Sequence, residues 1–216
     1  MKQLALALAC APAPTLENFV TGRNEELLDT LMRLTRGVET ERILYIWGKP
    51  GSGKSHLLRA LAVALHAHQA PLMLEQLTRP AVLDDAHLLD EPGQALLFRL
   101  AIAARERAVL LAVSGDAPPA RLALRADVAT RLGSGLVYEV HALSDDEKAI
   151  ALQRYAKGRG LKLPAELVQY LMTHGSRDLR VLMAIIDALD RFSLENKRAV
   201  TLPLLRDLLR ELELPA

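Results

Sequence analysis

The segment Gly48-Lys49-Pro50-Gly51-Ser52-Gly53-Lys54-Ser55 matches G-x-x-x-x-G-K-[ST] and leaves this chain little choice of fold. An apolar run, Ile43-Leu44-Tyr45-Ile46, leads into it, and an Ala- and Leu-rich stretch begins at Ser55. Strand, glycine turn and helix in that order are the setting in which this motif works. The glycines let the backbone curl until its N–H groups converge on phosphate oxygens, with the positive end of the following helix behind them. Lys54 offers a mobile cation to β- and γ-phosphates. Ser55 offers a hydroxyl to Mg²⁺, an ion that keeps several of its own waters. ATP or ADP with Mg²⁺ is therefore the expected cofactor, held by Gly48, Pro50, Gly51, Ser52, Gly53, Lys54 and Ser55.

The metal shell needs a carboxylate at the end of a neighbouring strand. Ala81-Val82-Leu83 reads as a short buried strand running into Asp84 and Asp85. Asp84 is expected to hold Mg²⁺ through water, and Asp85 to orient the attacking water. A continuous apolar strand at 109–113 ends on Ser114-Gly115-Asp116, and Asp116 is the candidate polar side chain near the γ-phosphate. Two surface aspartates capping a turn are the plainer reading of the Asp84–Asp85 pair. The lysine motif upstream favours the metal.

Along the chain, a helix is expected at 24–36, strands at 42–47, 72–74, 81–83, 109–113 and 136–140, and helices at 55–68 and 93–107. Such alternation implies a parallel sheet with crossover helices. It stops after residue 140. Ser144 and Glu147 make a capping-box pattern opening a helix to about Gly158. Pro164 suits the first turn of a second helix closed by Gly175. Ser176 can cap a third to about Arg191, and Thr201 a fourth to about Leu212. The expected organisation is a flexible leader at 1–14, an α/β nucleotide-binding domain at 15–142 and a four-helix lid at 143–216. Ala-Pro-Ala-Pro at 11–14 keeps the leader out of helix and sheet.

Charge and composition narrow the partners. With 27 Lys and Arg against 26 Asp and Glu, the net charge is +1, and 143–216 holds 12 against 11. No basic block exists to wrap DNA, and 4% aromatic residues give no stacking platform, so contact with DNA is expected to be indirect. The single cysteine, Cys10, permits no internal disulfide and suits a reducing cytoplasm. No run approaches the ~20 residues that cross a bilayer, so no membrane is expected. His66 and His68 stand two apart on the expected helix and face different ways, so they make no metal pair. Trp47 reads as core.

Three strand ends in this order, followed by a helical lid, resemble the AAA+ class of P-loop ATPases. The likeness narrows with Asn18-Phe19-Val20-Thr21-Gly22-Arg23-Asn24, with His56-Leu57-Leu58 after the P-loop, and with Leu83-Asp84-Asp85-Ala86. Ser114-Gly115-Asp116-Ala117-Pro118-Pro119, Thr130-Arg131-Leu132 and Ser176-Arg177-Asp178-Leu179-Arg180 continue it. Together these are similar to the DnaA replication initiators, from about residue 15 to the end. The initiators finish in a helix-turn-helix DNA-binding domain, and this chain is expected to lack origin binding because it stops after the lid. It is more similar to the family's short homologues, the Hda-type regulatory inactivators of DnaA.

The resemblance carries several roles. It adds His56 to the nucleotide-binding set, places Phe19, Val20 and Asn24 against the adenine, and makes Arg180 the lid arginine that contacts the nucleotide. It makes Arg131 an arginine finger reaching a neighbouring subunit's nucleotide. Gln3-Leu4-Ala5-Leu6-Ala7-Leu8 is similar to that family's sliding-clamp-binding peptide. There the Gln3 amide would bond at a pocket rim while Leu4, Leu6 and Leu8 bury. At ~1.5–3 kcal/mol per buried leucine, such a peptide reaches micromolar affinity after ordering costs. The implied partners are DnaA, the replication sliding clamp and DNA held through both, with a homo-oligomer also open. The implied activity is negative regulation of chromosomal replication initiation by stimulating ATP hydrolysis on DnaA, with weak hydrolysis of its own, at the replisome or nucleoid. A helicase-loader-type AAA+ adaptor is the rival, and co-purification with a replicative helicase would favour it. A small-molecule kinase would need its acceptor pocket inside a single α/β domain, and the four-helix appendage argues against that. Two departures stand out: the stretch from Gln69 to Asp84 is short for the family, and Leu132-Gly133-Ser134-Gly135 lacks the tryptophan often seen after the finger arginine.

Overall fold

The computed structural model describes residues 13–69, 77–175 and 178–211. They divide into two compact units, Ala13–Ala142 and the residues from Leu143 onward.

In the first unit five strands form one parallel sheet: β1 Ile43–Trp47, β2 His68–Gln69, β3 Ala81–Leu83, β4 Leu111–Gly115 and β5 Leu136–Glu139. Their spatial order is β2-β3-β4-β1-β5. β1 is apolar along its whole length because both its faces are covered. Ile43 and Tyr45 enter a core shared with helices α3 (Glu91–Glu106) and α4 (Ala126–Gly133), while Leu44 and Ile46 enter a core shared with α1 (Glu25–Thr35) and α2 (Lys54–Leu65). The register pairs Trp47 with Gly115 and Leu83 with Val113. The C-terminal ends of β1, β3 and β4 therefore share one edge. β1 lies between two strands that follow it late in the chain, and open α/β sheets bind ligands at such reversals of strand order.

Several boundaries moved for local reasons. α2 stops at Leu65 because His66 turns left-handed, at φ 51°, and its N–H returns to the carbonyls of Ala62 and Val63. His68 consequently stands in β2, not on a helix, and its Nε2 accepts from Arg79 Nε at 2.9 Å. β4 starts two residues later than its apolar run. Ala108, at φ 54°, ends α3, and Val109 donates back to Ala104, so that segment serves first as a helix stop. α3 begins before Gly93, since Asp90 caps it by accepting from the Gly93 N–H at 2.9 Å. Trp47 is half-buried against the α3–α4 core. The expected strand at 72–74 lies outside the described residues.

The second unit is helical: α5 Asp145–Gly158, α6 Ala165–His174, α7 Leu179–Asn196 and α8 Leu202–Glu211. They surround Leu152, Leu167, Leu182, Ile186, Leu204 and Leu208. α7 runs five residues past Arg191, to Asn196, where Lys197 closes it in a left-handed turn. The expected cap Ser176 lies outside the described residues, and Asp178 caps α7 by accepting from Arg180 N–H at 2.9 Å. The capping box is present. Ser144 Oγ accepts from Glu147 N–H at 3.2 Å, and Glu147 Oε2 accepts from Ser144 N–H at 2.7 Å. Ser144→Ala is expected to lower the stability of this unit by about 1 kcal/mol, read as a shift in the denaturant midpoint without a change in slope.

Candidate phosphate-binding site

The turn from β1 into α2 is built from close approaches that only glycine allows. A Cβ on Gly48 would stand 2.5 Å from the Val140 carbonyl oxygen, because Val140 N–H donates to Trp47 at 2.6 Å and draws the end of β5 against the turn. Gly53 has φ +103°, and a Cβ there would meet Phe19 Cε2 at 2.8 Å. Gly53 is also the N-cap of α2, and no side chain caps that end. The first N–H groups of α2 are therefore left for an anion.

Inside the turn, Lys54 is only 8% exposed, and its Nζ donates to the carbonyls of Gly48 at 2.8 Å and Lys49 at 3.3 Å. Ser52 Oγ is buried and has no hydrogen-bond partner among the described residues. A nearly buried ammonium, an uncapped helix end and an orphaned hydroxyl within eight residues fit a phosphate group well. A buried polar atom without a partner is costly, and an oxyanion would satisfy it. Ser55 and His56 on the first turn of α2 are half-buried, while Pro50 and Gly51 are exposed.

Beside this turn, the Phe19 ring lies 5.5 Å from the His56 ring, tilted by 54°, and His56 Nε2 lies 3.0 Å from the Thr15 carbonyl. Phe19 and Val20 are both half-buried. Asn24 is 3% exposed and fully engaged with backbone. Its Nδ2 donates to Thr21 and His141 carbonyls, each at 3.0 Å, while its Oδ1 accepts from His141 N–H at 2.8 Å. Its side chain thus clamps the end of β5 to the start of α1.

The acidic residues stand on the same sheet edge. Asp84 is exposed, and its Oδ1 accepts from Ser114 Oγ at 2.5 Å. Asp85 takes a left-handed backbone, φ 53°, and its N–H donates to the same Ser114 Oγ at 2.9 Å. Its carboxylate stands 4.0 Å from His87 Nδ1. Asp116 is exposed one residue past β4. Nearby, Tyr45 donates to the Ala117 carbonyl at 2.7 Å, and burial first, then the Asp116 charge, pushes its hydroxyl far up, so it remains a donor. Among the described residues no three His, Cys, Asp or Glu side chains converge on a metal-sized site. A magnesium ion here would have to draw on Ser55, Asp84, phosphate oxygens and water, which is its ordinary habit.

Ser114 escaped the sequence reading, which took Asp116 as the working residue of this strand tip. The available signal was a hydroxyl closing an otherwise apolar strand, Leu111-Ala112-Val113-Ser114.

Arg131 is exposed in the last turn of α4, with its guanidinium 5.9 Å from the centre of the Phe98 ring. Among the described residues no carboxylate pairs with it. Arg180, in the second unit, makes a two-pronged pair with Asp178, Nη2 to Oδ2 at 2.9 Å and Nε to Oδ1 at 3.3 Å. Gln3, Leu4, Leu6 and Leu8 lie outside the described residues. No helix among the described residues is long and apolar enough to cross a membrane.

Residues 145–209 match the family described as Hda, lid domain. Among solved structures, domain III of the replication initiation protein DnaA from Thermotoga maritima is similar, with a TM-score of 0.72 at 19% identity over 93% of this chain and 97% of that one. AMPPCP-bound DnaA from Aquifex aeolicus matches with a TM-score of 0.68 at 19% identity, over 85% of this chain and 67% of that one. A RuvB variant from Thermotoga maritima, A156S, matches at 0.66 and 16% identity, over 94% and 73%. The parallel sheet with flanking helices is the AAA+ fold. The chain thus carries an Hda lid domain at 145–209 and, in its other unit, a parallel sheet with the fold of DnaA domain III.

Proposed function

We propose that this chain binds ATP or ADP with Mg²⁺ at the Gly48–Ser55 turn and acts as a negative regulator of replication initiation. Seated on the sliding clamp through Gln3, Leu4, Leu6 and Leu8, it presents Arg131 to the nucleotide of a neighbouring DnaA and accelerates hydrolysis there. The observation that carries this reading is Arg131 itself: an exposed guanidinium with no carboxylate partner among the described residues, on a fold shared with the replication initiation protein DnaA. An arginine supplied in trans stabilises charge on a transferring phosphoryl group and is worth about 10³–10⁵ in rate. The likeness to DnaA bound to AMPPCP supports a nucleotide at the turn.

Within this chain, the turn's N–H groups and Lys54 would hold the phosphates, while Ser55 and Asp84 would hold Mg²⁺. When bound, the ion neutralises charge on the phosphate oxygens. Asp85 and Asp116 would order water and the γ-phosphate on the chain's own side, and Phe19 and Val20 would face the base. Arg180 would have to exchange part of its Asp178 fork for nucleotide. DNA is engaged through the clamp and DnaA.

The test is conversion of DnaA-bound ATP to ADP in the presence of clamp and DNA, with and without this chain. Marked acceleration that depends on the clamp is expected. A folded chain that leaves the conversion rate unchanged overturns the reading.

A further inference from the structure

We propose that Ser114 is the positioning residue for the divalent cation, fixing the Asp84 carboxylate through its hydroxyl. This rests on the nucleotide and magnesium reading above. Ser114 is completely buried, so no solvent competes for its hydroxyl. The polarity of its two bonds is settled by chemistry. The Asp85 N–H can only donate, so at 2.9 Å it takes a lone pair of Ser114 Oγ. The hydroxyl proton is thereby free for Asp84 Oδ1, 2.5 Å away, and a carboxylate can only accept it.

The result is a single relay, Asp85 N–H to Ser114 Oγ–H to Asp84 Oδ1, tying the end of β3 to the end of β4. It engages one oxygen of Asp84 from the protein side and leaves Oδ2 for a metal-bound water. It also anchors the backbone where Asp85 turns left-handed, φ 53°, a conformation that a non-glycine residue keeps only when its surroundings hold it. Outer partners of this kind orient a ligating carboxylate, and removing them commonly costs 10–100-fold in metal affinity. Asp84 is otherwise exposed.

The test measures nucleotide affinity by calorimetry in Mg²⁺ and again in EDTA, on the full chain, for wild type, Ser114→Ala and Ser114→Thr. Ser114→Ala is expected to raise the Mg²⁺ concentration at half effect by about tenfold or more and to leave the affinity in EDTA within about twofold. Ser114→Thr, which keeps the hydroxyl, is expected to restore most of the magnesium effect. In an Asp84→Asn background the Ser114→Ala change should add nothing further, because there is no carboxylate left to orient. That double variant remains informative if the threonine methyl is not tolerated. An unaltered magnesium response in folded Ser114→Ala overturns the proposal. So does an equal loss in Mg²⁺ and in EDTA, which would make the hydroxyl merely structural. A wild-type chain that takes up no nucleotide in either condition overturns the underlying reading instead, and this proposal with it.

Discussion

Arg131→Ala is expected to abolish stimulated hydrolysis on DnaA, a loss of about 10³–10⁵ in rate or about 4–7 kcal/mol of barrier. The chain's own nucleotide affinity should stay within about twofold, as expected for a change remote from the turn at Gly48–Ser55. Arg131 is poised without being trapped. Its guanidinium lies over the half-buried Phe98 ring at 5.9 Å, and a cation–π contact of a surface arginine is worth only about 0.5–1 kcal/mol. That holds the side chain near the surface of α4 but is a small barrier to engaging a triphosphate. A carboxylate fork such as the one Asp178 makes with Arg180 would be harder to give up. Arg131→Lys is expected to recover less than about a tenth of the stimulation, since a compact ammonium lacks the planar two-pronged donor that spans phosphate oxygens. The assay is single-turnover conversion of ATP to ADP on DnaA with clamp and DNA. Full stimulation by folded Arg131→Ala would remove the trans-arginine reading.

The fold class was legible because each signal was local. Ile43–Ile46 had to be a strand covered on both faces, and Ser144 with Glu147 had to open a helix, since that box is set by two residues only three apart. The strand order was not legible. Nothing within a few residues of Ile43 announces that its partner is Leu111. Boundaries failed where a residue acted against its usual habit. His66 and Ala108 adopt left-handed turns ordinarily left to Gly or Asn, so α2 stopped early and β4 began late. The glycine turn from β1 into α2 was readable in outline, because left-handed and crowded positions demand glycine. Ser114 offered only a weak signal, since a serine closing an apolar strand looks the same whether it faces solvent or bridges two aspartates. Asn24, placed against the adenine by resemblance, has a second role that the sequence did not announce: its amide bonds to the backbone of Thr21 and His141.

Lys54→Ala is expected to weaken nucleotide binding about 100-fold, roughly 3 kcal/mol, the upper range for a hydrogen bond to a charged group. Nζ already sits inside the turn, donating to Gly48 and Lys49 carbonyls at 8% exposure, so the ammonium has shed most of its water before any phosphate arrives. Exchanging neutral carbonyl acceptors for phosphate oxygens then gains charge attraction with little new desolvation cost. Alanine removes that gain and leaves two carbonyls without their donor. Lys54→Arg is not expected to rescue it, because a planar guanidinium does not fit a space shaped for a slender stem. Thermal shift gives the sharpest readout. At a nucleotide concentration near 100 times the wild-type Kd, the wild type should gain about 2.7 kcal/mol from ligand, and the variant, with Kd raised 100-fold, only about 0.4. The two proteins should therefore melt apart with nucleotide present and close together without it. A Lys54→Ala protein that keeps the full ligand-induced shift would mean that the glycine turn is not where phosphate binds.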